Sequence, residues 1–172
     1  MSQSGVPVRR SVCAVALGVG LAVLGCNSKD GERTKLKAVK AEGDPVVLTT
    51  RDGVPYITAN VADDLPALRE GDPGQREDAL IRKAIKLTLD RGVGHKPYEG
   101  KDRFVVRLMV LTELDEYGKA KAGSSVELAT VEVPRASLEG LTPERLAALS
   151  GPDLKKLVRN PAVNLGNLDK FA

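Results

Sequence analysis

Few side chains in this 172-residue chain can do chemistry, and their spacing limits what that chemistry is. His95 is the single histidine, so any hydrolytic triad has to use it. It stands in Gly92-Val93-Gly94-His95-Lys96-Pro97, a stretch that reads as a solvent-exposed turn. One histidine and two cysteines, Cys13 and Cys26, are too few donors for an ordinary His/Cys zinc site. Acids are paired at Asp63-Asp64 and at Asp115-Glu116. Neighbours on a strand point to opposite faces, and Asp63-Asp64 precede Leu65-Pro66, where a helix start favours negative charge. Carboxylate catalysis needs two groups converging on one cleft, and this spacing does not provide it. Gly92, Gly94 and Gly100 lack the pattern of a phosphate-binding loop, and Ser124-Ser125 lack the glycines of a nucleophile elbow. The residues therefore predict no catalytic constellation, no metal and no cofactor.

The strongest signal lies in the first 26 residues. Arg9 and Arg10 form a positive leader, followed by an uncharged run from Val12 to Leu24 that is shorter than the roughly 20 apolar residues a bilayer crossing needs. This is the build of a secretory signal peptide, residues 1–25. The run ends Val23-Leu24-Gly25-Cys26, which resembles the lipobox of bacterial lipoproteins, with Val23 and Leu24 in place of the commoner Leu and Ala or Ser. The resemblance implies cleavage between Gly25 and Cys26, a diacylglycerol on the Cys26 sulfur, and a further acyl chain such as palmitate on its amine. Several chains at about 0.8 kcal/mol per buried methylene make such attachment effectively permanent. Cys13 falls in the leader, so the mature chain keeps no thiol for a disulfide. Asn27 stands where an aspartate holds many lipoproteins at the inner membrane, which implies the outer membrane, facing the periplasm.

Charge narrows the partners. The chain carries 26 basic and 23 acidic side chains; removing Arg9 and Arg10 leaves 24 against 23, a net of about +1, with the two signs interleaved. Nucleic-acid binding calls for a concentrated basic surface and is set aside. Three tyrosines, two phenylalanines and no tryptophan argue against a stacking site for a glycan.

Residues 26–44 are polar and mixed in charge and read as a lipid-anchored flexible tether, spanning roughly 20 to 25 Å as a coil. Residues 45–172 are expected to form one α+β domain. Asp52-Gly53 between strand-like runs predicts a hairpin, with Pro55 making its second arm an edge strand or irregular. Nine residues, Arg51–Ala59, also resemble a segment near the start of penicillin acylases, but the chain is far too short for that enzyme and offers no candidate for its autoprocessed nucleophile. Asp72-Pro73-Gly74-Gln75 predicts a capped helix running to about Arg91, with Gly92 as its stop. Phe104, Val106, Leu108, Val110 and Leu114 alternate with Arg107, Glu113 and Asp115 along a long strand, and Val126–Val133 returns antiparallel. Short helices follow Thr142 and Ser150, and Asn160-Pro161 ends the second. The tail to Ala172 is too poor in apolar residues to fold alone.

These readings describe a non-catalytic lipoprotein that docks onto another envelope protein, held to the membrane by lipid on Cys26. The order of one helix and a long hairpin is similar to small accessory lipoproteins of cell-envelope assembly. The candidate docking face is the charged side of the long strand, at Arg107, Met109, Leu111 and Glu113. The competing reading is a lipoprotein that binds a small ligand or glycan, which convergence of Tyr56, Tyr98 and Tyr117 on one cavity would favour.

Overall fold

The computed structural model describes residues 35–40, 43–119 and 121–171. The signal peptide, the Gly25–Cys26 cleavage site and residues 26–34 of the tether lie outside them. The order of elements is β1 (Val46–Arg51), β2 (Val54–Asn60), α1 (Leu65–Leu68), α2 (Pro73–Leu87), β3 (Arg103–Leu111), β4 (Ser125–Pro134), α3 (Pro143–Ala148), α4 (Gly151–Lys156), β5 (Arg159–Val163) and α5 (Leu165–Leu168). The five strands make one sheet in chain order, antiparallel throughout except for the parallel pair β2–β3. The fold is α+β, as the hydrophobic patterns predict.

The β1–β2 hairpin follows from its turn. Asp52 and Gly53 sit at φ 49° and 76°, the left-handed geometry that matches a two-residue turn to the twist of its strands. Pro55 does not place β2 at an edge: the strand is second of five, between β1 and β3. The proline is accommodated because pairing with β3 begins one residue later, at Tyr56↔Val105, so no ladder donor is lost.

The crossover from β2 to β3 runs through α2. Asp72 accepts the Gln75 N–H at 2.9 Å while the Gln75 side chain accepts the Asp72 N–H at 2.9 Å, the reciprocal cap expected at this start. The far end differs from expectation. Regular helix stops at Leu87 and widens into one turn, Thr88–Gly92, where Val93 N–H reaches back five residues to Thr88 O at 2.9 Å. Gly92 is not a left-handed stop. A Cβ there would stand 2.9 Å from Ile57 Cδ1 and 3.2 Å from the Phe104 ring, so glycine is needed for close approach to the sheet.

Leu80, Ile81, Ala84 and Ile85 of α2 pack on Ile57, Phe104, Val106, Leu108, Val110, Val131 and Val133, all fully buried. The tail, too poor in apolar residues to fold alone, packs on this core. Chain from Arg159 pairs with β4, Asn164 caps α5 by accepting Asn167 N–H at 3.0 Å, and Leu168 and Phe171 are 0% exposed.

Folded contacts also begin ahead of Pro45. Leu36 N–H donates to Lys170 O at 2.7 Å and Val39 N–H to Leu111 O at 2.8 Å, so residues 35–40, within the stretch read as tether, lie along the domain.

Candidate docking face

The sheet buries one face under helices and leaves the other half-exposed, and the candidate residues belong to the second. Strand alternation sends Ile57, Phe104, Val106 and Leu108 inward, so Tyr56, Thr58, Val105, Arg107 and Met109 face outward. The register sets these in rows: Val47, Thr58, Arg107, Thr130 and Ala162 lie across the sheet, and Asn60, Met109 and Glu127 beside them.

Arg107 is held in place. Its Nε and Nη2 donate to Glu127 Oε2 at 2.9 and 2.6 Å, and Thr130 Oγ1 donates to Glu127 Oε1 at 2.8 Å. Partial burial pushes the Glu127 carboxyl up, but the bonds from Arg107 and Thr130 and the guanidinium charge outweigh it and hold the group below its ordinary value. Arg103 on this face pairs with Glu132 at 3.4 Å and Arg51 lies over the Tyr56 ring at 5.0 Å, whereas Arg159, opposite Glu132 in the register, is exposed and has no charge partner among the described residues.

The four candidate residues divide. Met109 is half-buried beside Arg107, while Glu113 lies past the end of β3, exposed and bonded to Lys121 at 2.8 Å, which raises the Lys121 pKa. Leu111 is 4% exposed and is not part of an accessible face. The segment carrying Val39 runs along its backbone, and Asn60 clips the two together, donating to Val39 O at 3.1 Å while its Oδ1 accepts Leu111 N–H at 3.4 Å. The signal was Asn60 at a strand end, a residue suited to bonding irregular backbone.

The remaining polar candidates serve the fold. Asp64 binds Lys83 at 2.7 Å and Asp63 pairs with Lys40. Asp115 closes the β3–β4 loop by accepting the N–H groups of Tyr117 and Lys119 at 2.9 and 2.8 Å. His95 is half-buried rather than fully exposed, its ring edge-on to Tyr98 at 4.6 Å. Tyr98 is buried and donates to Thr49 O and Tyr56 O at 2.7 and 3.1 Å; burial raises its pKa, and the bond to Thr49 opposes this. Tyr117 is exposed in the β3–β4 loop, so the three tyrosines do not converge.

A shallow groove of about 710 Å³ lies where the β1–β2 turn meets the start of β3, lined by Gly53, Val54, Lys101, Arg103, Glu132 and Arg159 among others. Among the described residues no group of three or more His, Cys, Asp or Glu is placed to hold a metal, and no helix is long and apolar enough to cross a membrane. Compared with models of protein families, with curated proteins and with solved structures, the chain finds no match.

Proposed function

We propose that this chain is a bacterial lipoprotein, acylated at Cys26 and held at the outer membrane facing the periplasm, that serves as a non-catalytic docking subunit for another envelope protein. The single observation that carries the docking half is the open face of the sheet. It is wide and half-exposed, mixes Val47, Val105 and Met109 with threonines, and pairs Arg107 with Glu127 and Arg103 with Glu132. A partner covering such a face removes apolar area from water, and the Arg107 and Arg103 charges it covers are already matched by Glu127 and Glu132. Anchoring rests on the positive leader, the short apolar run and Val23-Leu24-Gly25-Cys26.

The ligand-binding reading is the weaker one, because Tyr98 is used inside the fold and Tyr56 and Tyr117 do not share a cavity with it.

One experiment tests both halves. Replacing Cys26 by Ala is expected to move the protein from a carbonate-resistant membrane fraction to the soluble one; unchanged resistance refutes the anchor. In the same cells, Met109→Glu is expected to lose in-cell crosslinks to a stoichiometric envelope protein while the melting temperature holds. Crosslinks that persist at full yield refute the docking face.

A further inference from the structure

The two edges of the sheet are built differently. β5 is short, contains Pro161, bends at Asn160 with φ 47°, and slips register against β4 between Thr130 and Glu132. Proline, a kink and a bulge are the devices that stop a further strand from adding to an edge. β1 has none of them. Its six residues pair with β2 without interruption, contain no proline, and present Val47 at 55% exposed.

The backbone groups that β1 offers follow from the alternation of an antiparallel pair. Asn60 N–H donates to Pro45 O at 2.9 Å, and counting along the register makes Val47↔Thr58, Thr49↔Tyr56 and Arg51↔Val54 the bonded pairs. Val46, Leu48 and Thr50 therefore direct their N–H and C=O groups away from the sheet. The Asp44 carboxylate accepts the Val46 N–H at 3.0 Å, whereas the groups of Leu48 and Thr50 have no partner among the described residues.

We propose that β1 pairs antiparallel with β1 of a second copy of this chain, with Thr49 facing Thr49 on the two-fold axis. Leu48 and Thr50 lie one residue to either side of Thr49, so each Leu48 exchanges two backbone bonds with Thr50 of the other copy. The strand is its own complement. Of the two neighbouring symmetric registers, Leu48 on the axis requires the Val46 N–H, which Asp44 already holds, and Thr50 on the axis requires Asp52, which sits in the turn at φ 49°. In the chosen register Val47 lies beside the hydrocarbon stem of the other copy's Arg51, which accounts for a valine left exposed on an edge. Both helical layers fall on the same side, and the two sheets join into one of ten strands. Only one strand of each copy meets the other, so the pairing is expected to be weak and reversible.

Site-directed disulfide formation in the full chain, in its membranes, tests this register. Directly opposed residues of a non-bonded antiparallel pair have Cα atoms about 4.5 Å apart, within disulfide range. Thr49 is exposed and tolerates Cys. Thr49→Cys, oxidised by dioxygen with copper phenanthroline as catalyst, is expected to give a reducible dimer of twice the monomer mass. Arg51→Cys, equally exposed, places its two thiols roughly 13 Å apart along the strands and is expected to give about tenfold less. Adding Thr50→Pro, which removes an outward N–H and leaves the β1–β2 ladder intact, is expected to abolish the Thr49→Cys dimer. No dimer from a Thr49→Cys chain that melts like its parent overturns the proposal. So does equal yield from Arg51→Cys, or a dimer indifferent to Thr50→Pro.

Discussion

The two faces of the sheet carry the same strands and follow opposite rules. On the helix side, Ile57, Phe104, Val106, Leu108, Val131 and Val133 are stripped of water completely and contain no polar side-chain atom. On the open side, polar and apolar residues are mixed, and Arg103, Arg107 and Arg51 are matched by Glu132, Glu127 and the Tyr56 ring. Burial on the first face supplies stability at roughly 25 cal/mol per Å² of apolar area, whereas an exposed ion pair on the second supplies about 0 to 1 kcal/mol. The helix side therefore determines whether the chain folds, and the open side adds little to that.

The largest effect that separates the faces is expected at Phe104. Its ring is fully buried, lies edge-on to Tyr98 with centroids 6.2 Å apart, and is covered by the Arg135 guanidinium at 5.0 Å. Phe104→Ala is expected to cost about 3 to 5 kcal/mol, read as a lower urea midpoint at an unchanged slope. A loss under about 1 kcal/mol would remove the distinction between the faces.

A smaller effect sharpens the contrast within a single turn. Gly92→Ala drives a methyl into Ile57 and Phe104 and is expected to cost about 1 to 3 kcal/mol by overpacking, whereas Gly94→Ala, with nothing within 4 Å of the new Cβ, is expected to stay within about 0.5 kcal/mol of the parent. Thermal unfolding of the pair checks this. Equal melting temperatures would mean the turn gives way and the close approach of α2 to the sheet is not required.

Most of the helix side was legible in the sequence, because burial imposes a period on it. The alternation from Phe104 to Val110, the return strand to Val133 and the Asp72 cap all came from local pattern. What stayed hidden was contact between distant segments. Leu111 reads as part of the docking face because nothing near it predicts that Val39 will lie beside it. Pro55 reads as an edge signal because local rules do not reveal that the neighbouring strand starts one residue later. The tail reads only as too poor in apolar residues to fold alone, and local pattern does not show that Leu168 and Phe171 fill the core of the rest. The open side was half legible: Arg107 and Met109 lie on it while Leu111 and Glu113 do not, and the partner of Arg107 stayed hidden, since Arg107 and Glu127 lie twenty positions apart and meet only through the β3–β4 register.

The smallest effect is expected at that pair and depends on pH. Glu127 has its pKa held down in the folded protein, so its contribution is complete above the ordinary carboxylate value near 4.3 and is lost as pH falls through the lower, folded value. The Arg107 and Glu127 side chains are 33% and 42% exposed, and solvent screening keeps the pair to less than about 1 kcal/mol. Arg107→Ala is therefore expected to lower stability slightly at pH 7. Denaturant titrations repeated at lower pH should show the gap between parent and variant close once Glu127 is protonated in both. A gap that stays constant from pH 7 to about pH 2 would instead assign the loss to the packing of the arginine stem, and the open side would then share the rule of the buried one.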